Sequence, residues 1–360
     1  MIWLTWRQFR VQAASAAAIV AAFAALLVVT GPHMASVFAS SAIGTCHGGP
    51  DACGAYANDF FDLLIRSDIV GVGGYDMLYM LGLVIILAAP AVIGIFWGAP
   101  LIAGELEAGT HYLAWTQSIT RTRWLAVKLT LIGLAAIAVT EAMSLMQTWW
   151  ATPISLAVAR GACCTELAMN QFSPLVFAAH GITPIGYAAF AFALGVTVGV
   201  LVRRAVLAMA LTLAIFAALQ VAVPLWVRPH LFPPVHTITT IGSWASVDMQ
   251  VRPDATFVLT PDGFREPEAS VISIDGPLNA DGKPFGTFPA ACKPGPGSAG
   301  SKDAYTAMLR CLDSQGVRIG VTYQPASSYW RFQWTETAIY LFLSLGLLGY
   351  CFWRIRRRVS

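Results

Sequence analysis

Glu105 and Glu107 stand just ahead of the pair Gly109-Thr110, and Arg121 and Arg123 follow an amphipathic stretch, so acids, a turn and bases come in that order across Gly104–Trp124. Glu105 and Gly109 are four apart, which sets a carboxylate one helical turn from a residue that permits a sharp bend, and Thr110 can cap whatever helix follows. An acidic knob beside a turn is docking chemistry rather than bond-breaking chemistry. No catalytic constellation stands out elsewhere. The histidines are scattered without an HExxH or CxxC…H spacing, so no metal site is expected. Gly295-x4-Gly300 is followed by Ser301-Lys302 instead of Lys-Ser/Thr, which argues against a phosphate loop. With neither a Ser/His/Asp arrangement nor paired carboxylates facing a cavity, the chain reads as a non-enzyme with no nucleotide-binding motif and no directly bound cofactor.

The elements that must hold these residues are set by hydropathy. Hydrophobic residues make up 57% of the 360-residue chain and charged ones 11%, with a mean hydropathy of +0.64, which excludes a soluble enzyme. A net charge of +3 without a basic, aromatic-interleaved stripe gives no sign of a nucleic-acid partner. Apolar runs at Ala13–Thr30, Met77–Ala99, Leu125–Met146, Gly181–Val202, Ala205–Val227 and about Thr337–Trp353 predict six membrane-crossing helices, with Trp residues such as Trp97, Trp124, Trp150 and Trp226 near their ends. Arg7 and Arg10 ahead of the first run also suit a secretory signal, but its 18-residue core exceeds the usual apolar region of about 7–15 residues, so a retained helix is expected. Met1–Arg10 alternates Trp, Leu and Phe with Arg and Gln, so residues 1–12 read as an interfacial amphipathic segment.

Lys and Arg fix the expected orientation. With the N-terminus inside, the inner segments carry Arg7 and Arg10, then Arg121, Arg123 and Lys128, then Arg203 and Arg204, then Arg354, Arg356, Arg357 and Arg358; the short outer loops carry only Arg66 and Arg160. Both termini are therefore expected to be cytoplasmic, in a multi-pass protein of the cell membrane. Cys46, Cys53, Cys163, Cys164, Cys292 and Cys311 then fall outside, where disulfides form, and only Cys351 lies in a span. Many connectivities are possible; the pairs that close within one loop, Cys46 with Cys53 and Cys292 with Cys311, are the first candidates.

Between the fifth and sixth spans lies an extracellular segment, residues 228–334, with nine basic and nine acidic residues. Runs such as Thr256–Leu259, Val271–Ile274 and Val317–Tyr323, set between the turn-rich Pro261-Asp262-Gly263 and Asn279-Ala280-Asp281-Gly282, predict a small β-rich or mixed lobe. The expected fold is thus an all-α polytopic membrane protein: spans one to five over 13–227 with a loop at 100–124, the lobe, and span six with a basic tail at 335–360. Glu141 is the one clear intramembrane acid, placed by its cost in hydrocarbon to face the protein interior or a wet cavity, where substrate-path and helix-pairing roles are equally open. Gly94-x3-Gly98 and Gly195-x3-Gly199 permit close helix contact, weakly suggesting a dimer face.

The order of residues in Gly104–Trp124 resembles the loop of type-2 ATP-binding-cassette (ABC) exporter permeases, and Gln117 stands where that family usually has proline, as in its actinobacterial members. The opening MIWLTWRQFR, the stretch from Tyr323-Gln324-Pro325 to Glu336, and the closing CFWRIRRR resemble the same subgroup. The resemblance implies that Glu105, Glu107, Gly109, Thr110, Gln117 and Arg121 form the surface that couples to a cytoplasmic ABC ATPase. It further implies that ATP is used by that partner, that the chain works as a homodimer or beside a second permease within membrane lipid, and that an amphiphilic substrate moves outward. Drug, lipid and peptide cargo all fit, because apolar pores leave little substrate signature. The alternative is a non-transporting sensor or partner coupled to an ABC ATPase.

Overall fold

The computed structural model describes residues 2–47, 50–67, 74–107, 120–162, 167, 169–251, 257–264, 268–293 and 302–358. Among these, six helices are long and apolar enough to cross a membrane: Phe9–Ser40, Tyr75–Gly104, Thr122–Trp150, Thr183–Val202, Ala205–His230 and Ala326–Arg356. Six crossings bring both chain ends to one side, the terminal side, and set the lobe between spans five and six on the other.

The first helix, α1 (Ile2–Ser40), has 39 residues, about 58 Å at 1.5 Å per residue, against a hydrocarbon core of roughly 30 Å. From Ile2 onward the expected interfacial stretch is continuous with the rest of this helix. No proline or glycine stands in this stretch to break it. On the lobe side α1 leads into the short α2 (Ala42–Thr45) and α3 (Pro50–Arg66). Phe60, Phe61 and Leu64 of α3 are buried against Met34 and Ile43. A disulfide joins Cys46 to Cys53 across this corner. Arg160 also holds it, donating from Nη1 to the carbonyl of Ile43 and lying over the Phe38 ring.

Span two is α4 (Tyr75–Ile93), a π-helical turn at Gly94–Gly98, and α5 (Ala99–Glu107). Span three is α6 (Arg121–Trp150), whose first turn is capped by Thr120, the Oγ1 accepting from the Arg123 amide at 3.4 Å. Short helices α7 (Thr152–Ala159) and α8 (Pro174–Ala179) run over the lobe side before span four, α9 (Thr183–Val202). A two-residue turn, with Arg203 left-handed at φ 58°, leads to α10 (Ala205–Ala222), which continues through a second π-helical turn at Val223–Val227.

α9 is the central post of the bundle, packed by α5, α6, α10 and the last helix. Its small residues make this possible. A Cβ on Gly98 would stand 2.7 Å from the Phe192 carbonyl oxygen, one on Gly195 2.8 Å from the Ala99 amide nitrogen, and one on Gly199 2.5 Å from the Ala99 carbonyl oxygen. The two glycine pairs thus interlock with each other inside one chain, and both motifs are engaged in this contact rather than left to face a partner copy. The π-helical turn, a local irregularity often found at functional positions, falls on this contact.

The lobe contains the antiparallel sheet β1 (Val235–Thr239), β5 (Arg318–Gln324), β4 (Ser270–Leu278) in that order, and the pair β2 (Trp244–Val251) with β3 (Phe257–Phe264). Pro261-Asp262-Gly263 is not a turn: it lies within β3, Pro261 opposite Val247. A two-stranded ribbon leaves β3 one unpaired edge, and an edge is where a strand tolerates a residue without an N–H. Asn279–Gly282 does turn, the Asn279 Oδ1 accepting from the amides of Asp281 and Lys283, with Gly282 at φ 77°. Helix α11 (Lys302–Ser314) packs Met308 and Leu312 onto Ile319 and Val321, and Cys292–Cys311 ties its end to the preceding loop. The chain re-enters the bundle as α12 (Tyr329–Arg358).

Candidate functional site

On the terminal side, α5 ends in the acids singled out by sequence. Glu107 is exposed, and its Oε2 accepts from the Ala205 amide at 3.1 Å. That amide lies in the first turn of α10, where backbone N–H groups have no partner within the helix, so the carboxylate caps α10 and sits at the positive end of its dipole. Glu105 lies two residues earlier on α5, its side chain outside the described residues, as is that of Arg121 at the start of α6. Gly109, Thr110 and Gln117 lie outside the described residues altogether. The structure therefore joins the helix that enters the loop to the Arg203–Arg204 turn, a link that no local sequence pattern announces.

Glu141 is half-buried on α6, and its Oε2 has no hydrogen-bond partner. Both amide atoms of Gln147, on the same helix, and the hydroxyl of Tyr340 on α12 are likewise buried without partners. Helix-pairing through a hydrogen bond to Glu141 is not seen among the described residues.

A second site, which sequence reading misses, lies under the lobe. Glu336 of α12 is fully buried; its Oε2 accepts from Arg228 Nε at 3.0 Å and its Oε1 from Arg228 Nη2 at 3.2 Å and from the Tyr187 hydroxyl at 2.5 Å. The Arg228 guanidinium also covers the Phe177 ring at 3.9 Å. One turn earlier, Gln333 accepts from the amides of Ile182 and Thr183 and donates to the carbonyls of Phe177 and His180, which satisfies the opening of α9. Phe172, Phe177, Phe232 and Phe332 pack around these groups. The signal available in sequence was an acid and a base each two residues from a tryptophan at a span end.

The lobe rests on the bundle through Asn170, whose Nδ2 donates to the Ala269 carbonyl at 2.6 Å, and through Gln171, donating to the Glu268 carbonyl at 3.5 Å. Glu268, beside the first contact, takes a left-handed backbone at φ 55°, and partial burial raises its carboxyl above the usual range. Burial lowers His180, whose Nδ1 lies 3.0 Å from the Val176 carbonyl. No group of three or more His, Cys, Asp or Glu among the described residues is placed to hold a metal.

Six apolar helices around a small-residue central span define a multi-pass membrane protein. Residues 17–228, more than half of the chain, match the family model of the ABC-2 membrane transporter related proteins, and the chain belongs to that family. Membership implies a transmembrane ABC-type permease role and pairing with an ABC ATPase subunit. No curated protein and no solved structure matches the chain significantly.

Proposed function

We propose that the chain is the permease subunit of an ABC-type exporter of the cell membrane, with both termini cytoplasmic. In this reading an ATPase subunit docks at residues 100–124 and supplies ATP hydrolysis, the chain itself acting without a bound cofactor. Two permeases, identical or different, form the pathway, and an amphiphilic substrate leaves toward the lobe side. The observation that carries the reading is the bond between Glu107 and the α10 amide. Besides capping α10, the bond ties the helix that enters the proposed docking segment to a second span, so a force applied at that segment reaches both. Movement of α5 would pull on α10 through Glu107, and on α9 through the interlocked glycines.

The test is affinity purification of the tagged chain in mild detergent, with mass identification of what accompanies it and an ATPase assay. A stoichiometric nucleotide-hydrolysing partner supports the reading. A chain that purifies alone and hydrolyses nothing, from cells that contain the cognate ATPase, turns the account toward a sensor whose lobe binds a ligand.

A further inference from the structure

A cavity of about 540 Å³ lies between α1, α4 and α6 within the membrane-spanning part. Its walls are apolar: Ala16 and Ile19 of α1, Val92 and Phe96 of span two, Val139 and Met143 of α6. Polar side chains enter at one end only. Gln12 and Ser15 line the cavity where α1 approaches the π-helical turn, and the Gln12 Nε2 donates to the Phe96 carbonyl at 3.3 Å. The Ser15 hydroxyl is turned back onto the Gln12 carbonyl. The Gln12 Oε1 is left as a hydrogen-bond acceptor at that end.

Depth gives the cavity a direction. From Gln12 to Val20 it follows eight residues of α1, about 12 Å of rise, and from Trp97 back to Ile85 twelve residues of span two, about 18 Å. It therefore runs from the terminal-side boundary, polar end outermost, toward the middle of the membrane. A lipid in that leaflet carries the same gradient of polarity over the same depth.

Three fillings compete. An empty space forfeits the dispersion contacts of every atom that lines it. Water needs two to four polar partners, which an apolar wall does not provide. Hydrocarbon meets both conditions, and the cavity opens to the side where hydrocarbon is the solvent. The geometry points to a lipid-binding site: one acyl chain of a terminal-side-leaflet phospholipid occupies the cavity between α1, α4 and α6, with its glycerol or headgroup region at Gln12. The site does not rest on the ABC exporter reading, since it requires only that these helices span a membrane.

The probe is a phospholipid bearing a diazirine on one acyl chain, reconstituted with the full-length chain and photolysed, with the labelled residues mapped by mass spectrometry. The site predicts labelling concentrated at Ala16, Val92 and Val139, and a fivefold or greater drop at these positions in Ala89→Trp, which puts an indole into the cavity. Leu134→Trp, on the exposed face of α6, should leave the pattern unchanged. Labelling spread evenly over exposed α1 and α6 residues such as Val28 and Leu134, or unaffected by Ala89→Trp, overturns the site. The wild-type map decides the matter even if the filled variant fails to fold.

Discussion

Arg228 and Glu336, the residues at which the chain leaves the bundle for the lobe and returns from it, are bonded to each other by two hydrogen bonds in a buried ion pair. Tyr187 of the central span donates to the same carboxylate. The lobe's two stalks are thus pinned together and to α9, so any displacement of span five or six relative to span four must break or carry this contact. Placing two charges at the lobe-side boundary is costly unless both are fully bonded, and here the carboxylate receives three donors.

Breaking the pair from one side should therefore cost more than removing it. Arg228→Met leaves an uncompensated buried carboxylate and is expected to destabilise by about 3–5 kcal/mol. The double variant Arg228→Met, Glu336→Met should recover much of that loss. Thermal unfolding in detergent measures all three. A double variant no more stable than Arg228→Met alone would show that the pair is not the unit described.

The interlocked glycines predict a second asymmetry. Gly98→Ala and Gly195→Ala drive a methyl into backbone atoms under 3 Å away and should destabilise by about 1–3 kcal/mol. Gly346→Ala on α12 meets nothing within 4 Å and should stabilise by about 0.5–1 kcal/mol through helix propensity. Equal melting of all three variants would mean that spans two and four are not in contact as described.

For the Glu107 cap the expected change is local. Glu107→Ala should cost about 1 kcal/mol at the start of α10, seen as roughly fivefold faster amide exchange at Ala205, while Glu107→Gln, which keeps an acceptor oxygen, should exchange at an intermediate rate. Indistinguishable exchange in the three proteins would remove the link between α5 and α10.

Orientation is open to direct labelling. A membrane-impermeant thiol reagent applied to intact cells should react with a cysteine placed at Asp281 and not with one placed at Thr110. The reverse pattern would overturn the proposed orientation and with it the proposed outward direction of transport.

The six spans were legible because membrane insertion is decided by local hydropathy over about 20 residues, a quantity that sequence carries directly. Helix ends were less so: α1 and α12 overrun the apolar runs at Ala13–Thr30 and Thr337–Trp353, since a helix continues into polar territory wherever nothing breaks it. In the lobe, Val271–Ile274 and Val317–Tyr323 fall on strands, while Pro261-Asp262-Gly263 does not turn, because pairing with β2 overrides local turn preference. The cysteine pairs at 46 with 53 and 292 with 311 are bonded, their short separations having favoured closure within a loop. What sequence could not supply is which polar residues meet across the bundle. Glu141 stood out for its depth and has no partner for its Oε2; Glu336, one residue short of the expected span, is the acid with three donors. Partnership of that kind depends on packing among spans four, five and six, not on any one segment.

The most direct test of the central claim is the ATPase content of complexes purified through the tagged chain, compared between wild type and Glu105→Lys, with membrane insertion and elution profile checked in both. The account predicts a stoichiometric ATPase with the wild type and its loss with Glu105→Lys while the chain still inserts. Retention of the ATPase with unchanged hydrolysis in Glu105→Lys would contradict the assignment of residues 100–124 as the coupling surface.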